Sequence, residues 1–198
     1  MNRSELKELH YITPIANVPS ILKHGILSKN RAKPFRPASI AMQEIQDARD
    51  RKSVPGGLAL HDYANLYFCA RNPMMYKRQA QHLEICVLRL STDVLDLPNV
   101  VIADGNAASQ YTAFWPSPSG LSKVNSEWVF AEYWTDPNQI TRWRKAAAKC
   151  AEVLIPHRVR ADSITGAYVS TERSRATLGD QGFTRAIAVD AHLFFFRG

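Results

Sequence analysis

Glu152 is the first residue in this chain whose type and place suggest chemistry. It enters the apolar run Val153, Leu154, Ile155, Pro156 directly after a segment rich in Arg, Lys and Ala. Burying a carboxylate without a partner is costly, so such a residue either faces a cleft or is matched by a cation. In a cleft it can stabilise positive charge that develops during a reaction; at a strand edge it makes a salt bridge. Arg49 and Arg51 each carry a fork that can grip a phosphate in bidentate fashion, although in isolation a solvated helix charge is the commoner reading of either. Thr13 and Asn17 offer short hydrogen-bonding groups beside a helix start, a place suited to a ribose or phosphate, or simply to capping. His10 sits on an apolar strand, where a structural role is the common one. His61, Asp62 and Tyr63 tempt a metal reading, but three consecutive side chains on an extended segment alternate in direction and do not converge on one ion.

The elements that must position these residues follow from periodicity. Residues 9–13 read as a first strand. A short helix follows, with Asn17 as N-cap, Pro19 in its first turn and Gly25 as its stop. Residues 28–39 are basic and contain proline, and so read as a surface loop, with Ser39 then capping a helix that presents Ile45 and Ala48 on one side. Leu83 to Leu90 alternates as a half-buried strand, and Val100 to Ile102 is a second apolar run. Residues 104–126 form a long irregular stretch that carries Tyr111, Phe114 and Trp115, and its aromatic content argues against disorder. Residues 127–149 read as helix broken at Pro137, delivering the chain to Glu152. Residues 164–170 and 192–196 read as strands, with an Arg-rich helix from Glu172. There is no internal repeat. The fold class expected is α+β, built on short mixed strands.

Composition sets the partner. The chain has 198 residues, 25 Lys and Arg against 18 Asp and Glu, and a formal net charge of +7. One core and a single domain over residues 1–198 are expected at this length, and the charge suits a polyanion. Three widely spaced cysteines with no paired spacing read as reduced thiols. No signal peptide or membrane-length apolar run is visible, so a cytoplasmic protein without membrane contact is expected.

Several blocks, in order, resemble the DarT family of bacterial toxins. They are residues 11–22, residues 45–49, the Pro55, Gly56, Gly57 turn with residues 61–68 after it, residues 71–76, and residues 151–155. The resemblance implies an ADP-ribosyltransferase-like fold, a split mixed or antiparallel β-sheet with surrounding helices that holds NAD in a cleft. It implies transfer of ADP-ribose from NAD, a glycosyl transfer releasing nicotinamide, onto a base of single-stranded DNA, thymine favoured over guanine. It implies Glu152 and Arg49 as catalytic residues, with Arg51 as the fallback for Arg49. The family's His stands two places before the Thr; here that place is Tyr11, with His10 one step earlier, and either is a candidate for the NAD ribose. Thr13, Asn17, Ser20, Tyr67 and Tyr76 complete the expected NAD-binding set. Tyr111, Phe114 and Trp115 are expected to stack bases, and Arg142, Arg144, Lys145 and Lys149 to meet phosphates. No metal is expected. The family implies a DarG-type antitoxin whose macrodomain hydrolyses the adduct, and a toxin of this size can act as a monomer. Competing readings are a same-fold transferase acting on RNA or protein, and a nucleic-acid-binding module without catalysis.

Overall fold

A computed structural model describes residues 1–196. The N-terminal strand β1 (Leu9–Pro14) leads through a 3₁₀ turn into α1 (Val18–His24), which Gly25 stops in the left-handed region at φ 80°. Asn17 occupies the N-cap, but its side chain makes no capping bond. Its amide instead reaches the Thr13 hydroxyl and both backbone groups of Ala38, tying the basic loop to β1. That loop is less irregular than its composition suggests. After β2 (Ile26–Leu27) it winds into α2 (Lys29–Ala32) and a 3₁₀ turn. Ser39 does not cap the next helix; α3 (Gln43–Asp50) starts after Met42, and the Ser39 hydroxyl accepts from Ala41 instead.

The middle of the chain supplies β3 (Tyr63–Tyr67), α4 (Pro73–Lys77) capped by the Asn72 side chain, β4 (Ile85–Leu90), β5 (Val101–Ala103) and β6 (Phe114–Pro116). The segment around Pro137 is a true break. It separates α5 (Ser126–Phe130) from α6 (Gln139–Ala148), which Asn138 caps. Then follow β7 (Glu152–Pro156), β8 (Arg158–Val159), β9 (Ile164–Val169), α7 (Glu172–Asp180) and β10 (Ala186–Val189). Residues 192–194 are a 3₁₀ turn rather than the expected strand, because Phe195 turns left-handed at φ 57° and ends any extended run. The strand in this region is β10, which ends before the aromatic run begins.

The principal sheet has the order β10-β9-β4-β1-β3-β7-β5-β6. All neighbours are antiparallel except β9 and β10. Its two halves meet at β1 and β3, which are joined through the single pair His10 and Tyr67, so the sheet splits there. One face packs on the main core, built from Leu66, Leu88, Val153 and Ile155 among others. The other carries two smaller clusters, around Ile12, Met75 and Val87 and around Leu60, Tyr63 and Leu154. The site lies on this second face, at the junction of the halves.

Candidate active site

β7 is where sequence and geometry converge. The chain leaves α6 through a tight turn and enters the sheet at Glu152, which pairs with Tyr67 of β3 on one side and Ala103 of β5 on the other. Residues directly opposite across antiparallel strands project from the same face. The register therefore runs His10, Tyr67, Glu152, Ala103, Phe114 along one row. Strand alternation puts the two candidates on opposite faces: His10 is on the Glu152 face, and Tyr11 packs into the main core beside Cys86 and Leu88 on the other. Burial pushes the Tyr11 phenol up to about 12.

Glu152 is 1% exposed, and the cation that makes its burial tolerable is Arg49, itself 6% exposed. Arg49 stands in the last turn of α3, and its Nη1 donates to both carboxylate oxygens at 3.2 and 3.1 Å. The backbone N–H of Ala107 adds a third bond at 3.0 Å. A buried charge pair of this kind persists because its remaining lone pairs are satisfied. Among the described residues Arg49 meets Glu152 through Nη1 alone, which leaves the rest of its fork for a second anion. Arg51, two positions on, is exposed and among the described residues reaches only the Asp47 carbonyl, so it does not take the Arg49 place.

The loop that offers Ala107 is the stretch that composition marked as irregular, and it is compact. Asn106 accepts from Thr112 and Ala108, and Asp104 accepts from Ala113. Lys52 locks it from outside: its ammonium donates to the Ser109 carbonyl and lies 5.0 Å from the Phe114 ring centre. Burial, followed by the nearby Arg49 cation, lowers the Lys52 pKa, while Glu152 pulls it the other way. Neither Lys52 nor Ala107 stood out in the sequence. Lys52 is one charge among many, and a backbone donor carries no residue signature; the single hint is that Lys52 follows Arg49 by three, about one helical turn.

Tyr67 borders the carboxylate. Burial first, then the Glu152 charge, raises its phenol well above the ordinary value, so it is a neutral donor, and its hydroxyl points to the Met74 sulfur at 3.6 Å. His10 is held on the same face by Glu8, with Nε2 3.2 Å from Oε1, while its Nδ1 is buried without a partner among the described residues. Glu8 also accepts from Arg89 at 2.6 Å and Tyr168 at 2.8 Å. Burial would raise the Glu8 pKa, but these hydrogen bonds outweigh it and hold the carboxyl at about 2. Thr13 and Asn17 lie at the far end of β1, linked to each other and to Ala38, and Ser20 is half-buried in α1. His61, Asp62 and Tyr63 diverge, although not by strand alternation, since Leu60–Asp62 is a 3₁₀ turn and only Tyr63 enters β3. His61 meets Asp50 at 3.1 Å and Lys29 at 3.4 Å, Asp62 accepts from Asn30, and Tyr63 accepts from Leu58. Burial and Lys29 keep the His61 pKa low.

Away from the carboxylate the expected residues separate. Tyr76 is 48% exposed and lies edge-on to Trp134 and Phe195, so it caps an outer aromatic cluster rather than reaching Glu152. Phe114 faces the site through Lys52, Trp115 alternates away from it, and Tyr111 is almost fully exposed at the loop tip. Arg142 and Arg144 are exposed on α6, and Lys145 is paired with Asp136. Lys149 is a correction. It is 1% exposed and donates to the Ala131 carbonyl at 2.7 Å and the Cys69 sulfur, so it fastens α6 to the preceding segment and offers nothing to a phosphate. Burial pushes the Cys86 and Cys150 thiols up to about 12, which keeps both protonated and unreactive.

Comparison with known proteins bears on this arrangement. The family model for "ssDNA thymidine ADP-ribosyltransferase, DarT" matches residues 10–195. A fusion of DNA ADP-ribosyl transferase and DNA ADP-ribosyl glycohydrolase from Thermosipho africanus (strain H17ap60334) is 32% identical over 96% of this chain, which spans 49% of that protein. A DNA ADP-ribosyl transferase of Thermus sp. (strain 2.9) is 31% identical over 150 residues, covering 70% of this chain and 71% of its own length. Among solved structures, Thermus sp. 2.9 DarT in complex with ADP-ribosylated ssDNA superposes with a TM-score of 0.80 at 26% identity, covering 96% of both chains. Thermosipho africanus DarTG in complex with ADP-ribose gives a TM-score of 0.80 at 27% identity over 96% of this chain and 51% of that one. The chain belongs to the DarT family, and its α+β split sheet is the DarT fold.

Proposed function

We propose that this DarT-family chain transfers ADP-ribose from NAD to thymine in single-stranded DNA. The observation that carries the reading is the buried Glu152 carboxylate, gripped by Arg49 and the Ala107 N–H, in a row with Tyr67 and His10 at the split of the sheet.

In that reaction the bond between nicotinamide and the ribose C1′ breaks, and its electron pair leaves with neutral nicotinamide. Positive charge develops on the ribose, as in glycoside cleavage. Glu152 stabilises that charge where it forms, in a site dry enough for the interaction to count. The thymine ring nitrogen then bonds to C1′ and gives up its proton, for which the same carboxylate is the acceptor on this face. Arg49 orients the Glu152 carboxylate through its Nη1 and offers the remainder of its fork to the NAD phosphates. His10 presents its unpartnered Nδ1 for a ribose hydroxyl, and the neutral Tyr67 supplies a flat ring beside the nicotinamide. The base must be reached outside a duplex, which fits a single-stranded acceptor.

Thr13, Asn17 and Ser20 belong to the same reading as contacts for a ribose or phosphate of NAD, beside the start of α1. A DarG-type macrodomain antitoxin would reverse the modification, and the transferase itself acts as a cytoplasmic monomer. No helix among the described residues is long and apolar enough to cross a membrane.

The test is incubation with labelled NAD and four sets of acceptors: thymine-containing single strands, thymine-free single strands, RNA, and protein. Label on thymine-containing single strands alone is expected. Label on RNA or protein in place of DNA would move the activity to a different acceptor, and binding of DNA that is indifferent to NAD, with no label anywhere, would leave a non-catalytic binding module.

A further inference from the structure

We propose that His61 is a positioning residue for the transfer reaction: it ties the last turn of α3, which carries Arg49, to the entrance of β3, the strand that flanks Glu152. The inference rests on the transferase reading above and adds what holds Arg49 in its place.

α3 needs such a tie because it has no apolar anchor. A helix ordinarily docks through an apolar stripe, and most of its stability comes from that packing. Of the 8 residues in α3, Arg49 is the buried one, while Ile45 and Ala48 are only half-buried. The side chain that enters the interior is therefore a cation, and the placement of the helix depends on polar contacts. Beyond its C-terminal end the main chain runs beside the segment before β3. The Leu60 N–H donates to the Lys52 carbonyl at 2.9 Å, and Ser53 pairs with Ala59 in a β-bridge. Those contacts fix the chain past Arg49. The nearer tie is a side chain: His61 Nδ1 lies 3.1 Å from Asp50 Oδ1, and Asp50 follows Arg49 directly.

The surroundings of His61 select one hydrogen-bonding state. Its side chain is 5% exposed in the 3₁₀ turn that leads into β3, and burial, then the Lys29 cation, favour the neutral ring. The Lys29 ammonium can only donate, so Nε2, 3.4 Å from it, is the acceptor. The ring proton then sits on Nδ1 and is donated to the Asp50 carboxylate. Lys29 of α2, neutral His61 and Asp50 of α3 form a chain across three elements, and Arg49 is the other charge that acts on the ring. β3 begins two residues after His61, and its far end pairs Tyr67 with Glu152. The ring thus links the helix that carries Arg49 to the strand beside the carboxylate. Asp50 is 76% exposed, so the bond adds little to stability. Its effect is on placement, and a bias of that size is read as a several-fold change in rate rather than as loss of the fold.

The experiment measures transfer of ADP-ribose from NAD to a thymine-containing single strand by wild type, His61→Leu, His61→Asn, Asp50→Ala and the variant carrying both His61→Leu and Asp50→Ala, each shown to be folded by its melting transition. Leu fills the place of the ring without its donor, and the Asn amide stands in for the Nδ1–H. His61→Leu and Asp50→Ala are each expected to lower kcat about fivefold, the change that a bond to an exposed carboxylate can carry, with the KM for the DNA strand unchanged. The double variant is expected to lose no more than either single one, because both remove the same tie, and His61→Asn is expected to keep most of the rate. A full rate in Asp50→Ala would overturn the proposal. So would a loss in His61→Asn equal to that in His61→Leu, since the ring would then serve as packing alone. No transfer by wild type to any strand would instead sink the transferase reading, and the positioning role with it.

Discussion

Removing Arg49 should expose how strongly the Glu152 carboxylate depends on it. The carboxylate is 1% exposed and accepts three hydrogen bonds, two from Arg49 and one from Ala107. Arg49→Met keeps much of the side-chain volume but leaves one bond and no counter-charge, and breaking a buried pair from one side costs about 3–5 kcal/mol. For a domain of this size each kcal/mol moves the melting temperature by roughly 2–4 °C, so a fall on the order of 10 °C is expected. Glu152→Gln alone leaves Arg49 buried without its anion and should also destabilise. The double variant removes both charges together, so its loss should fall short of the sum of the single losses by about 2 kcal/mol or more. Urea and thermal unfolding of the four proteins at neutral pH, without NAD, measure the cycle. Single variants that each cost less than about 1 kcal/mol, and that add in the double, would refute the claim that the pair is a mutually dependent buried unit.

Other consequences are open to direct measurement. Lys52→Met should lower kcat about tenfold through a loosened Ala107 loop, with a smaller change in the KM for NAD and with Lys52→Arg retaining most of the rate, since a charge-assisted bond contributes roughly 1.5–3 kcal/mol; equal kcat for all three proteins would remove Lys52 from the account. The Glu8 carboxyl falls from its usual 4.5 to about 2 on folding, so its stabilisation is complete above pH 4.5 and is lost as pH falls toward 2. Glu8→Gln should flatten that part of the stability profile, by on the order of 2–3 kcal/mol, and an unchanged profile would contradict the Glu8 network. Gly25→Ala should cost about 2 kcal/mol or more in urea unfolding, because φ is 80° there and an added Cβ would run into the Val159 carbonyl, whereas a neutral result would contradict the tight α1 to β8 approach.

How much of this was legible in the sequence depends on the range of the interaction. β1, β4 and β7 follow from alternation and apolar runs, and a lone carboxylate in an apolar strand already demands either a cleft or a cation. Which cation it meets is not local: Arg49 and Glu152 are 103 residues apart, and only the register of the sheet and the placement of α3 bring them together. The faces taken by His10 and Tyr11 likewise needed the β1 to β3 pairing, which puts His10 opposite Tyr67. The burial of Lys149 is not legible locally, because an ammonium looks solvated until a backbone carbonyl and a thiol close around it. The aromatic residues 192–196 carry strand propensity, but a left-handed Phe195 overrides it. The Ala107 donor was beyond any sequence reading, since every residue but proline has an N–H and only the fold decides where it points.

The most direct test of the central claim is to weigh a thymine-containing single strand after incubation with NAD and either wild type or Glu152→Gln, using variant protein shown to be folded by its melting transition. The account predicts a gain of one ADP-ribose with wild type and a rate lower by roughly a hundredfold or more with the variant, the loss expected when a group that stabilises transition-state charge is removed. Modification by Glu152→Gln at a rate within about threefold of wild type would contradict it, and would mean that the buried carboxylate holds the fold together while the chemistry is done elsewhere.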